Sequence, residues 1–302
     1  MAESSQFPYP PFELANRVLA LPEEGEGAFR AYEEQGRETR ERLLELLPEG
    51  TSLDGARILD FGCGAGRTLR QFIPDAGSCE VWGVDIDGRS VDWINRNLNP
   101  PLRAKKCEVD PPLDFEDGSF DLIWAVSVFT HLSGNSAEWL LELHRLLKPG
   151  GLLMATYMGE WNSEEIAGEP WEPDRIGMNR LFHDRAWDEG GPMILMSDWW
   201  VEEHWGRAFE IVDRNPWVHN QHWVMLRRRE VELTSAQLLE PAADSREVAA
   251  LRHNITQLQR EVESVAEGAR TSVDRMRRDY ESSLSWRLTR PLRALASRFR
   301  RR

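Results

Sequence analysis

The residues best placed to do chemistry lie in one short stretch, Asp60-Phe61-Gly62-Cys63-Gly64-Ala65-Gly66. A run of strand character leads into it and a helix is predicted after it. Glycines let the backbone turn tightly and let a ligand approach with no Cβ in the way. The spacing here is G-x-G-x-G, whereas the dinucleotide loop is G-x-G-x-x-G and seats a pyrophosphate on a helix N-terminus. A carboxylate two residues ahead of the first glycine would repel a pyrophosphate and would suit an ammonium group. Charge alone therefore favours S-adenosylmethionine (SAM) over a nicotinamide dinucleotide. A second acid, Asp85, closes the run Val81-Trp82-Gly83-Val84, roughly 20 residues on, where a carboxylate grips ribose hydroxyls. Two oxygens can accept from two vicinal hydroxyls; the bland alternative is a surface turn acid. Asp87 reads as an exposed turn residue.

Ligands on open α/β sheets lie beyond the carboxyl ends of the strands. His131, after the fourth predicted strand, is the first candidate general base, because imidazole titrates near neutrality; a packing role is the alternative. His183 and Asp184 are the second choice. They lie in residues 159–196, which are rich in Trp, Glu, Gly and Asp and too long for an ordinary connection. Trp161 and Trp171 stand among acids and glycines there, as an acceptor cleft would have them, and Trp199 and Trp205 fit a buried helix stripe. No His, Asp and Glu grouping has metal-ligand spacing, so no metal is expected. Cys63, Cys79 and Cys107 are odd in number and lack C-x-x-C spacing, as reduced cytosolic thiols would be.

Positioning these residues requires a layered scaffold. Short apolar runs at 57–61, 80–84, 104–109, 121–126 and 152–157 alternate with helical patterns at 90–98 and 136–147. That alternation predicts a parallel sheet. A helix at 199–209 and strands at 209–212 and 223–227 complete the α/β domain, placed at 51–232. Residues 1–50 carry amphipathic helices, with Leu14, Val18, Leu19, Leu43, Leu44 and Leu47 in buried stripes.

The pieces LDFGCGAGR, GVDID, FEDGSFDLIWAVSVFTHL and LHRLLKPGGLLMATY together resemble the class I SAM-dependent methyltransferases, over residues 30–230. The resemblance implies a Rossmann-like seven-stranded sheet whose last strand, 223–227, is antiparallel. It implies that Asp60, Gly62 and Gly64 line the methionine portion of SAM, with Gly66 completing the loop, and that Asp85 binds ribose. Val109 and Asp110 would flank the adenine, although CEVDPPLDF departs from the family's acid-plus-small-residue pattern. Ser127 would sit near the sulfonium. The segment AYEEQGRETR resembles the approach helix of this group, with Tyr32, Arg37 or Arg40 toward the cofactor carboxylate; the alternative is a solvated helix face.

The chain carries −14 over 302 residues, and seven arginines fall after residue 284 with no acid among them, so the remainder carries −21. An acidic body argues against nucleic acid as partner. Residues 233–245 read as a polar linker. From Val248, apolar residues recur at alternating spacings of three and four through Ala269, then shift to Val273, Met276, Tyr280 and Leu284. This predicts a coiled coil over 246–284 with a stutter near Gly268; the alternative is one amphipathic helix folded back on the domain. The tail, 285–302, sets Leu288, Leu292, Leu295 and Phe299 on one face and most arginines on the other, the pattern of a helix lying on an anionic membrane. Its SLSWRLTRPLR is similar to a C-terminal element of bacterial enzymes that build cell-surface polysaccharides.

The expected function is SAM-dependent O-methylation of a sugar hydroxyl or chain end. The enzyme would be cytoplasmic, homo-oligomeric or partnered through the coil, and peripheral on the inner membrane face. Methylation of a small metabolite, and a non-catalytic scaffold acting through coil and tail, are the alternatives.

Overall fold

The computed structural model describes residues 7–17, 25–183, 185, 191–218, 220–283, 285, 286 and 289. Val18, Leu19, Asp184 and Leu284 lie outside them, as do most of the arginine-rich tail and its apolar face. The chain divides into two compact units, residues 1–250 and 251–302.

In the first unit, helices α1 (Phe12–Ala15) and α2 (Glu26–Glu45) precede β1 (Arg57–Phe61), β2 (Glu80–Asp85), α3 (Gly88–Asn97), β3 (Arg103–Lys106), β4 (Phe120–Ala125), α4 (Ser136–Leu146) and β5 (Leu147–Tyr157). Then come β6 (Met178–Leu181), β7 (Met193–Met196), α5 (Asp198–Ala208), β8 (Phe209–Val218), β9 (Gln221–Arg228) and α6 (Ser235–Leu238). Helix α7 (Ser245–Ser282) begins here and continues into the second unit.

Seven strands form one sheet in the order β3-β2-β1-β4-β5-β9-β8. Pairings from β3 through β5 are parallel, while β9 runs antiparallel to β5 and to β8. The central strands β1, β4 and β5 are buried along most of their length on both faces, and β9 across its middle, as their apolar runs require, while β3 (Arg-Ala-Lys-Lys) at the sheet edge is largely open. Because successive side chains alternate, each register row serves one face. Leu59, Ile123, Leu153 and Leu226 belong to one core with Trp139 of α4 and Trp205 of α5, and Ile58, Leu122, Met154 and Trp223 to the other with Leu43 of α2 and Ile94 of α3. Trp199 and Trp205 are buried, as their stripe predicted.

Several elements differ from expectation. The glycine loop opens into a single 3-10 turn, Leu69–Phe72, and not a full helix; Pro74 follows at once and cannot sit within a helix interior. Strand β3 ends at Lys106, so Val109 and Asp110 lie beyond it. Residues 159–196 contain a π-helical turn, Asn162–Ala167, and the β6–β7 hairpin. The expected linker holds α6, closed by a capping box of Thr234 and Gln237, with Leu238 buried in the core. The opening turn of α7 is also built into this unit. The buried Glu247 carboxylate meets His204 Nε2 at 3.1 Å, and Ala250 joins the core. Among the described residues no helix is long and apolar enough to cross a membrane.

Candidate active site

The carboxyl ends of β1, β2, β4 and β5 converge on one edge of the sheet, and β9, being antiparallel, starts there. The loop after β1 turns with positive φ at Gly62 (83°), Gly64 (52°) and Gly66 (84°), a region that favours glycine. At Gly62 a Cβ would also lie 2.4 Å from Val128 Cγ2, so the loop packs tightly on the turn after β4. At Gly64 a Cβ would meet nothing within 4 Å, leaving its backbone open to a ligand. Helix α2 closes the loop from behind. Gly36 allows that approach, since a Cβ there would lie 2.3 Å from the Arg67 carbonyl. Tyr32, buried on the same helix, donates its hydroxyl to the Ala65 carbonyl at 3.0 Å.

Two acids face this loop. Asp85 accepts the Gly64 N–H on one oxygen at 2.7 Å and the Asp87 N–H on the other at 2.8 Å. Each oxygen retains acceptor capacity, enough for two hydroxyls. Burial pushes the Asp85 carboxyl above its ordinary value. Asp60 is buried too, and burial together with the Asp85 charge pushes it up to about 8, against the pull of Arg67. Two buried carboxylates side by side resist ionisation, and an arriving cation would relieve that cost. An open glycine backbone, a carboxylate waiting for a cation and a carboxylate with spare acceptors on both oxygens fit SAM. They do not fit a pyrophosphate.

Asp87 corrects the sequence reading. It is buried, caps α3 through the Arg89 N–H, accepts the Ser90 hydroxyl at 2.6 Å and pairs with Arg17. An acid one residue before a helix is a natural N-cap, which the strand-end motif had obscured. Arg37 and Arg40 point to other partners, Glu41 and Asp75, and Arg67 meets Gln35 at 3.1 Å. The Val109 side chain is exposed while its carbonyl accepts from Asn135 and Trp139; the Asp110 carboxylate also accepts from Asn135.

The turn after β4 is pinned from two distant strands. Ser127 has φ 60°, a strained value for a non-glycine residue that clusters at functional sites. Its N–H donates to Thr156 Oγ1 at 2.7 Å, and Gln221 Nε2 donates to its hydroxyl at 3.0 Å. His131 Nδ1 stands 2.9 Å from the Pro192 carbonyl, which places the ring proton on Nδ1 and leaves a lone pair on Nε2. Burial lowers its pKa, against the pull of the Pro192 hydrogen bond, so the ring is neutral at physiological pH. The neighbouring Thr130 carbonyl accepts the Ile194 N–H, and the Met158 carbonyl accepts that of Met196. The β6–β7 hairpin is thereby stitched to the ends of both β4 and β5.

His183 lies beyond β6, its carbonyl accepting from Arg180 at 3.0 Å; Asp184 lies outside the described residues. Trp171 packs on the small cluster of Met158, Leu181, Met193 and Leu195, and Trp161 caps the π-helical turn. Sequence reasoning missed a further group on this edge. Tyr157 donates to Asp198 at 2.6 Å, His222 Nδ1 stands 3.2 Å from the same oxygen, and Arg214 lies 3.4 Å from the other. The ring of His222, with Tyr157 and Arg214, holds the Asp198 carboxyl down to about 2. Only the pairing of β5 with β9 assembles these residues, so no local motif announces them. All three cysteines are free thiols, and among the described residues no cluster of three metal-ligating side chains occurs.

Comparison with known proteins bears on the same segment. Residues 58–151 match the family model described as a methyltransferase domain. The chain is 36% identical over 134 residues to 2-methyl-6-phytyl-1,4-hydroquinone methyltransferase of Synechocystis, covering 43% of this chain and 39% of that protein. It is 37% identical over 114 residues to arsenite methyltransferase of Aquipseudomonas alcaligenes, covering 33% and 32%. These matches take in well under half of either relative. Magnesium protoporphyrin IX methyltransferase from Synechocystis, solved with bound SAH, shares the fold with a TM-score of 0.50 at 14% identity, over 72% of this chain and 94% of that one. Residues 58–151, which carry the glycine loop and Asp85, are thus the part of the chain that is similar to a methyltransferase domain.

Proposed function

We propose that this chain is a SAM-dependent methyltransferase acting on a hydroxyl acceptor. The observation that carries the reading is Asp85, held by the Gly64 and Asp87 amides beside the open backbone of the glycine loop. Asp60 would face the cationic end of SAM, Asp85 its ribose, and the strained Ser127 turn the reacting centre. When bound, SAM supplies an activated methyl group. The protein's remaining work is to align the acceptor, exclude water and take up the hydroxyl proton. His131 suits that last task, being neutral with its Nε2 lone pair available.

The deciding experiment is calorimetric binding of SAM, SAH and NAD to the wild type and to Asp85→Ala. Micromolar binding of the first two is expected, weakened about 100-fold or more in the variant, since two charge-assisted hydrogen bonds are worth about 3 kcal/mol. Absence of SAM and SAH binding by folded protein would sink the enzyme reading and leave a scaffold.

For the acceptor, we favour a sugar hydroxyl in bacterial cell-surface polysaccharide assembly. The similarity of SLSWRLTRPLR to enzymes of that kind supports it, as does the Trp-bearing insertion over the acceptor edge. The arginine-rich tail would hold the enzyme on an anionic inner-membrane surface, and α7 would join it to another chain. Cosedimentation with anionic but not neutral vesicles tests the tail. A second reading, methylation of a small metabolite, draws on the names of the relatives, which include a hydroquinone and an arsenite methyltransferase. Labelled methyl transfer to lipid-linked glycans, against a panel of soluble phenols and hydroquinones, separates the two.

A further inference from the structure

Fourteen large apolar residues are exposed among the described residues, and nine of them lie on α7. Scattered exposure is ordinary, but a contiguous patch marks an interaction site. These nine are not scattered. Val248, Ile255 and Val262 follow one another at sevens, and Leu251, Leu258 and Val265 do the same three residues later. Val273, Met276 and Tyr280 continue the seam after an eleven-residue step from Val262, with Gly268 and Ala269 between. Each is 44% to 64% exposed. Helix propensity alone does not explain such a seam, because a solvated helix would carry polar residues there.

We infer that α7 pairs with the α7 of a second copy in a parallel, in-register, two-stranded coiled coil. Residue chemistry sets the strand number. β-Branched side chains at the first seam position with leucine at the second favour two strands, and Val248, Ile255 and Val262 against Leu251 and Leu258 have that form.

The area suffices. At roughly 30 Å² per apolar carbon, the exposed fractions of the nine side chains amount to on the order of 1,200 Å² over two copies, the threshold of a stable interface.

Charge sets direction. In the parallel register Glu261 would face Ala266 of the second copy and Ser272 would face its Arg277, with no like pair. An antiparallel pairing that used the whole seam, with Ile255 against Met276 and Leu251 against Tyr280, would set Arg252 against Arg277 twice, and like charges there repel. The inference concerns α7 alone and does not depend on the methyltransferase reading.

The test uses the full chain, 34.8 kDa as a monomer. Sedimentation equilibrium at about 10 µM is expected to return twice that mass. The double variant Ile255→Lys with Val262→Lys is expected to return the monomer mass, with the thermal transition of the globular unit and the SAM affinity unchanged. Val262→Cys in a Cys107→Ser background is expected to form a disulfide-linked dimer under mild oxidation. A monomeric or trimeric wild type would overturn the proposal, as would a dimer indifferent to the two lysines. Failure of Val262→Cys to cross-link, with efficient linkage between Ile255→Cys and Met276→Cys chains, would overturn the parallel arrangement. SAM calorimetry on the same samples reports on the enzyme reading separately.

Discussion

The two ends of the site are built by different rules. Around the glycine loop, the contacts that matter are backbone groups and their near neighbours. Positive φ angles open the turn, and the Gly64 and Asp87 amides hold Asp85. On the side proposed for the acceptor, side chains far apart in sequence hold one another: Ser127 with Thr156 and Gln221, Tyr157 with Asp198 and His222, His131 with Pro192. A cofactor common to many enzymes can be held by peptide groups that tolerate little variation. An acceptor particular to one enzyme calls for a lattice that can be rebuilt residue by residue. Buried Asp60 and Asp85 also resist ionisation, whereas His222, Tyr157 and Arg214 favour the ionised form of Asp198.

At the glycine-loop end, the break that separates affinity from stability is Asp60→Asn. Between pH 3.8 and about 8 the folded chain keeps a proton at Asp60 that the unfolded chain has lost. Stability therefore falls as pH rises through that window. Removing the carboxyl is expected to raise the melting temperature of the cofactor-free protein at pH 8, and to weaken SAM binding about 30-fold through loss of an ion pair worth about 2 kcal/mol. In the wild type, SAM affinity is expected to climb with pH between about 6 and 7.5, by up to about tenfold per unit, and in the variant to stay flat. Calorimetry across that range checks both.

Next comes Gly62→Ala. It combines the Val128 contact with a strained φ and is expected to cost about 2–4 kcal/mol by denaturant melts. Adding Val128→Ala should recover the steric share only, leaving about 1–2 kcal/mol of backbone strain.

Asp198→Asn attacks the other end. It is expected to cost about 1.5–3 kcal/mol, a charged hydrogen bond's worth, at neutral pH, with SAM affinity within threefold of wild type. Because that carboxyl is held at about 2 against an ordinary 3.8, its contribution is present above pH 3.8 and fades as pH falls toward 2, where variant and wild type should converge. A large loss of SAM affinity in Asp198→Asn would collapse the distinction between the two ends.

Tyr157→Phe should be the mildest, about 1 kcal/mol. His222 and Arg214 remain beside the carboxylate, and the melt should shift by a few degrees only.

Much of the fold was legible because strands buried on both faces read as apolar runs between helical patterns. β1 begins and ends where the sequence puts it, at Arg57 and Phe61. Local rules misled where two of them compete. Asp87 looked like a turn acid because it follows a strand, yet it serves the helix after it. The glycine loop looked like the start of a helix, yet Pro74 stops it after one 3-10 turn. The edge proposed for the acceptor was least legible. His222 and Asp198 are 24 residues apart, each unremarkable alone, and meet only because β9 returns beside β5 with His222 opposite Tyr157.

By itself the sequence determined the strand–glycine–acid constellation, the α/β layering and the seam of α7, since each depends on backbone conformation or on a period of two, three and a half or three and six-tenths residues. Only the tertiary structure decided which acids share a buried space, which proton state Asp60 takes, and which side chains close on the Ser127 turn. Those are matters of desolvation and of contacts across strands, and both depend on distances in space that no spacing along the chain encodes.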